Sequence, residues 1–173
     1  MGRWHALRKP MAAALIAGGL LLLCWRAYER VQSLGAAPDV SFVTVQGEHL
    51  RLSDLRGGPV LITFWASDCG PCLSEIPDLD KLQREWSTRG LQLIAVAMRY
   101  DLPSRVWSLV QSARPSYRVV LDSSGALAAA FGRVSAVPTT FLIAPDGTLR
   151  ERSLGPIDFA TVRHHLFMML GDF

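Results

Sequence analysis

Apolar residues are spaced along this chain in three distinct patterns. From residue 39 onwards, short stretches alternate or run continuously apolar, and longer ones repeat every three or four positions. Ser41–Val45 alternates as a strand does, and Gly47 turns it into a second short strand around His49–Leu52, which predicts an opening hairpin. Pro59–Trp65 is a continuous apolar run of strand length, the pattern of a central strand covered on both faces. From Pro71 to Arg89 the apolar positions Leu73, Ile76, Leu79, Leu82 and Trp86 recur at helical spacing, and Gly90 closes the helix. Leu91–Ala97 and Tyr117–Leu121 read as further buried strands, with a helix at Ser104–Ala113 between them and a short helix at Gly125–Phe131 after them. Thr140–Ala144 and Thr148–Arg152 flank an Asp146-Gly147 hairpin turn, and Asp158–Leu170 forms the closing helix. Alternating strands and helices of this kind predict an α/β domain with a mixed sheet.

A third pattern lies at the start of the chain. Residues 11–25 carry no charge and follow Arg3, Arg8 and Lys9, the form of a secretory signal. The run is shorter than the roughly 20 residues a helix needs to cross a bilayer, which keeps a cleaved signal peptide as the alternative. A permanent anchor is the expectation, because no small-residue cleavage pattern follows closely and Trp25, Arg26 and Tyr28 suit an interface. The bulky Leu23 before Cys24 argues against a lipoprotein. The expected organisation is therefore a targeting segment and connector over residues 1–35, with the cytoplasmic end first, and a catalytic domain over residues 36–173 facing an extracytoplasmic space, bacterial and periplasmic.

Charge changes the picture less than the pI of 9.0 suggests. Of the 18 basic and 15 acidic residues, Arg3, Arg8, Lys9, Arg26, Arg30 and Glu29 lie in residues 1–35. That leaves 13 basic against 14 acidic in the remainder, so the domain offers no case for nucleic-acid binding. With 50% hydrophobic and 19% charged residues, the chain has what a packed core requires.

The candidate chemistry sits at Cys69-Gly70-Pro71-Cys72, where the first buried strand ends and the first long helix begins. A thiol there meets unpaired backbone N–H groups and the positive end of the helix dipole, both of which favour thiolate. Cys69 is thus the expected nucleophile. Cys72, one helical turn on, is placed to attack a mixed disulfide and resolve it. A structural zinc site would need two more ligands. The only other cysteine is Cys24 in the apolar segment, and His49, His164 and His165 lack the spacing of such a site.

The stretch Phe64-Trp65-Ala66-Ser67-Asp68-Cys69-Gly70-Pro71-Cys72-Leu73-Ser74-Glu75-Ile76-Pro77 resembles the active-site segment of thioredoxin-like proteins of the TlpA/ResA type, anchored bacterial thiol-disulfide oxidoreductases. The resemblance runs from about Pro38 to the C-terminus, through Leu52-Ser53-Asp54-Leu55-Arg56-Gly57 and Val137-Pro138-Thr139-Thr140-Phe141. It implies a thioredoxin-like fold, a central mixed β-sheet flanked by helices, with an N-terminal hairpin and an inserted helix-strand unit. It implies a cis bond at Pro138, with Val137 and Pro138 shaping a substrate groove beside the redox pair. It also implies that Glu75 moves protons during exchange, a role that burial would assist by raising its pKa. An acidic residue that merely favours the helix dipole is the alternative reading of Glu75. Trp65 and Asp68 complete the expected substrate-binding set, although Trp65 also suits core packing. Asp68 departs from the family, which usually has Trp there. A carboxylate at that position opposes the thiolate of Cys69, and it either selects a basic partner surface or is simply a solvated loop residue.

The expected function is reduction of extracytoplasmic protein disulfides by a CGPC dithiol that an upstream thiol carrier re-reduces, with no cofactor or metal. By resemblance, the clients are heme-attachment cysteines of apocytochrome c or copper-site cysteines of an oxidase assembly factor. Two other readings are weighed. A peroxiredoxin would need Pro and Thr or Ser upstream of its cysteine, where this chain has Ile62 and Ala66. A copper-delivery protein would need a His beside Cys69 and Cys72 in the fold.

Overall fold

The computed structural model describes residues 18–21 and 34–171. Gly18–Leu21 are helical, and the rest of the apolar run at 11–25, with Cys24, lies outside the described residues. Among the described residues no helix is long and apolar enough to cross a membrane. The chain divides between Gly35 and Ala36 into two compact units, and the architecture that follows is that of the larger.

Strands β1 (Ser41–Val43) and β2 (His49–Arg51) pair antiparallel as the opening hairpin. The main sheet contains β3 (Val60–Trp65), β4 (Gln92–Ala97), β5 (Arg118–Leu121), β6 (Thr139–Ile143) and β7 (Leu149–Leu154), in the order β5-β4-β3-β6-β7. The β3/β4 and β4/β5 pairs are parallel, while β3/β6 and β6/β7 are antiparallel. Helix α1 (Gly70–Trp86) connects β3 to β4, and α2 (Pro103–Ala113) connects β4 to β5. A short α3 (Ala126–Ala130) precedes β6, and α4 (Phe159–Leu170) closes the domain. The predicted mixed α/β sheet is the observed one, and α2 with β5 forms a helix-strand unit between the cysteines and Pro138.

Alternation along each strand divides the core into two faces. Leu61, Trp65, Leu93, Val119 and Leu142 face α1, α2 and α4, whose Leu79, Leu82, Val106, Val110, Val162 and Leu166 pack among them. Val60, Ile62, Phe64, Ile94, Val96, Val120, Phe141 and Ile143 face the hairpin and α3, meeting Phe42, Leu52 and Leu127. Every residue of β3 and β6 is buried, as continuous apolar runs require of central strands.

The element ends differ from the sequence pattern where specific bonds intervene. β2 stops at Arg51 because Leu52–Leu55 winds into a 3-10 turn, with Leu52 N–H donating to Val40 O. β7 runs to Leu154 rather than Arg152, because its last residue pairs with Thr139. The first long helix ends at Trp86 and continues as a 3-10 turn over Ser87–Arg89. Gly90 then reverses the chain with φ at 89°.

Candidate active site

The sheet delivers two loops to one end of the molecule. β3 finishes at Trp65, and Ala66–Asp68 lead to Cys69, the N-cap residue of α1. In the neighbouring strand Phe64 pairs with Thr139, so Pro138 emerges beside Trp65 at that same end. The Val137-Pro138 bond is cis, as expected. Val137 is half-buried and packs against both core faces, and Pro138 is buried.

Cys69 and Cys72 are joined as a disulfide, with Cα atoms 5.3 Å apart. Cys69 is partly exposed, whereas Cys72 is buried at 3% exposure. The Cys72 N–H donates to Cys69 Sγ at 3.2 Å, so the sulfur takes one of the unpaired donors at the helix start. Pro71, in the first turn, occupies a place where a missing N–H costs nothing. The more exposed sulfur is the one a partner reaches first. The buried one is shielded from partners. Asp68 is exposed next to Cys69. The loop before it is held by Asp101, whose carboxylate accepts from Ser67 N–H at 2.6 Å and from the Ser67 hydroxyl at 2.5 Å.

Glu75 lies one turn beyond Cys72 on the buried face of α1 at 6% exposure. Its Oε1 accepts the Ile157 N–H at 2.6 Å. Burial holds the carboxyl above the ordinary glutamate range; the Ile157 bond pulls the other way, and Asp78 adds to the rise. The Gly155 N–H donates to Pro138 O at 2.9 Å. The β7–α4 connection, Gly155–Ile157, is therefore fastened to the cis-proline loop at one end and to Glu75 at the other.

Sequence reasoning missed this connection and Asp101, because the bonds to Glu75 and Ser67 link residues that only the fold brings together. Gly155-Pro156 directly after a strand was the one local signal. Trp65, expected among the substrate contacts although it also suits core packing, is buried. The alternation of β3 puts it on the α1/α2 side with Leu61 and Thr63, buried at 7% exposure behind Cys72.

Among the described residues no group of three or more His, Cys, Asp or Glu is placed to hold a metal ion. His165 Nδ1 instead bonds Glu151 at 2.9 Å, and His49 lies in the hairpin strand β2. The third ligand that copper delivery requires is thus not supplied beside the redox pair by the described residues.

The family model described as Redoxin matches residues 33–165. This chain belongs to the Redoxin family. Thiol-disulfide oxidoreductase ResA of Bacillus subtilis is 30% identical over 157 residues, which cover 85% of this chain and 87% of that protein. Thioredoxin-like protein YneN of the same organism is 29% identical over 156 residues, 81% of this chain and 89% of its own length. The crystal structure of a thiol:disulfide interchange protein of the thioredoxin family from Chlorobium tepidum superposes with a TM-score of 0.72 at 30% identity. It covers 79% of this chain and 97% of that one. With the Cys69–Cys72 pair at the head of α1, this redoxin is a thiol-disulfide oxidoreductase of the ResA type, and its fold is thioredoxin-like.

Proposed function

We propose that this redoxin works as a reductase of protein disulfides outside the cytoplasm, held at a bacterial inner membrane by its N-terminal segment and re-reduced by an upstream thiol carrier. The observation that carries the reading is the pairing of a partly exposed Cys69 with a buried Cys72 at the N-terminus of α1, beside the Pro138 loop. Reduction begins when the Cys69 thiolate attacks a client disulfide and one client sulfur leaves as thiolate. Cys72 then attacks Cys69 Sγ, the bond from Cys69 to the client breaks, and two electrons have passed from the dithiol to the client. Cys69, Cys72 and Glu75 are the reacting and proton-handling groups; Val137, Pro138 and Asp68 face the client. The Gly-Pro dipeptide between the cysteines favours the reducing direction, since thioredoxin with the same pair lies near roughly −270 mV. By family resemblance, the client class is cysteine pairs awaiting heme or metal, as in cytochrome c maturation or a related assembly.

The test is the equilibrium potential of the full-length chain against a glutathione buffer, with Cys69→Ser and Cys72→Ser as controls. One two-electron transition well below about −180 mV supports a reductase, and a value near about −120 mV reverses the direction. Fractionation with and without a detergent wash tests the anchor: recovery of an N-terminally shortened chain in the soluble fraction would establish signal cleavage instead.

A further inference from the structure

Behind the disulfide, between α1, α2 and the sheet, lies a cavity of about 20 Å³, close to the volume that one water needs. Most of its wall is apolar, supplied by residues such as Leu79, Val110 and Val119. Five residues bring chemistry to it: Thr63 and Trp65 from β3, Cys72 and Glu75 from α1, and Tyr117 from the start of β5. Thr63 and Trp65 share one face of β3, and Cys72 and Glu75 one face of α1, because positions i and i+2 of a strand share a face, as do i and i+3 of a helix.

Each polar group has unused bonding capacity. The buried Trp65 Nε1–H has no hydrogen-bond partner among the described residues. An indole N–H can only donate, and a buried donor left unmet is destabilising, so this one calls for an acceptor. Glu75 gives Oε1 to the Ile157 N–H, and a carboxylate has a second oxygen with which to accept. The Thr63 hydroxyl accepts from Thr140 at 3.1 Å, which leaves its own proton to donate. Burial pushes the Tyr117 phenol up, so it stays neutral and can donate or accept. Buried waters make two to four hydrogen bonds, and Trp65, Glu75, Thr63 and Tyr117 bring that many groups to the cavity lining.

We infer that Trp65 Nε1–H is a positioning group, fixing one water in this cavity that carries the proton between the Cys72 thiol and the Glu75 carboxylate. When Cys69 is bound to a client, the Cys72 S–H proton passes to the water as the water gives one of its own protons to Glu75. The Cys72 thiolate then attacks Cys69 Sγ, the Cys69–client bond breaks, and the client leaves as thiolate. The proton on Glu75 returns by the same route to the departing thiolate or to solvent, so protons and electrons balance. Trp65 touches neither sulfur in this scheme; it holds the relay in register.

The inference rests on the redox role of Cys69 and Cys72, but its test does not depend on client or direction. Reduced full-length protein is mixed with glutathione disulfide, and resolution of the Cys69–glutathione adduct is followed by acid quench and mass spectrometry across pH. Trp65 is replaced by benzothienylalanine, which keeps the ring shape and puts sulfur in place of N–H, and separately by Phe. Trp107→Phe, on the exposed part of α2, is the control. Resolution is expected to slow roughly tenfold or more at neutral pH, with the pH profile displaced, while alkylation of Cys69 by iodoacetamide keeps its rate. In a Glu75→Gln background the benzothienylalanine change is expected to add nothing, because the relay is already cut. Unchanged resolution, equal loss of adduct resolution and Cys69 alkylation, or additive effects in the double variant would each overturn the inference. Failure to reduce any protein disulfide would instead overturn the proposed function and leave this result standing.

Discussion

At the scale of single residues, the unequal exposure of the two sulfurs separates their roles. Cys69→Ser is expected to abolish exchange, while Cys72→Ser should accumulate a stable adduct between Cys69 and a client, visible on a non-reducing gel. Glu75 couples chemistry to stability. Because burial raises its pKa in the folded state, the unfolded chain releases that proton first as pH rises. Its contribution is therefore most favourable below the ordinary glutamate pKa, about 4.3, and is lost as pH climbs through the folded-state value. Glu75→Gln can keep the bond from Ile157 N–H without carrying charge. The variant should unfold at higher urea than the wild type at pH 8, and the two midpoints should converge towards pH 4. Its exchange rate should fall on the order of a hundredfold. Parallel urea midpoints across that range would show that Glu75 does not titrate differently on folding.

At the scale of elements, two contacts fix where α1 meets the sheet. Gln83, buried in the last turns of α1, donates through Nε2 to Leu91 O at 3.1 Å and accepts Leu93 N–H at 2.9 Å. It thereby supplies backbone partners at the start of β4, just before the pairing with β5 begins at Ile94. Gln83→Leu would strand a buried carbonyl and a buried amide. It should cost about 2–4 kcal/mol in urea unfolding, with the redox potential unchanged. Gly58, at the entry to β3, lies so close to Gly90 that a Cβ would stand 2.3 Å from the Gly90 carbonyl oxygen. The obstruction is backbone and cannot swing away. Gly58→Ala should therefore destabilise the domain by about 1–3 kcal/mol on the same measurement. Neither contact could be read beforehand. A glutamine in an amphipathic helix looks like a surface residue, and Gly58 sits in a Gly-Gly pair that reads as a turn.

At the scale of the whole molecule, the apolar pattern reveals the layers better than it reveals the wiring. Among the described residues of the domain, alternation and continuous runs located the strands and α-helices to within a few residues, because burial on two faces leaves a direct imprint on β3, β4 and β6. Cys69 and Cys72 were legible for a different reason: their chemistry depends on local geometry at a strand end, while Pro138 was legible through the family resemblance of Val137-Pro138-Thr139. The link from Ile157 to Glu75 spans 82 positions and uses a backbone N–H, which has no side-chain signature. The burial of Trp65 behind the disulfide follows from strand parity and agrees with its core-packing reading, whereas the resemblance had grouped it with the substrate contacts. The opening hairpin belongs to this scale as well. Phe42, 1% exposed, caps one face of the sheet. Phe42→Ala should cost about 3–5 kcal/mol by urea unfolding. The hairpin's tail also binds β5, through Val45 N–H to Val119 O and the bridge from Thr44 to Val120, reinforced by Arg118 with Glu48. At the opposite border, β7 presents Arg150, Glu151 and Arg152. An open strand border invites any sticky polypeptide to zip onto it, and charge or a covering segment discourages that. A sheet bordered in this way can meet other polypeptides at its redox end without lengthening by edge-to-edge pairing.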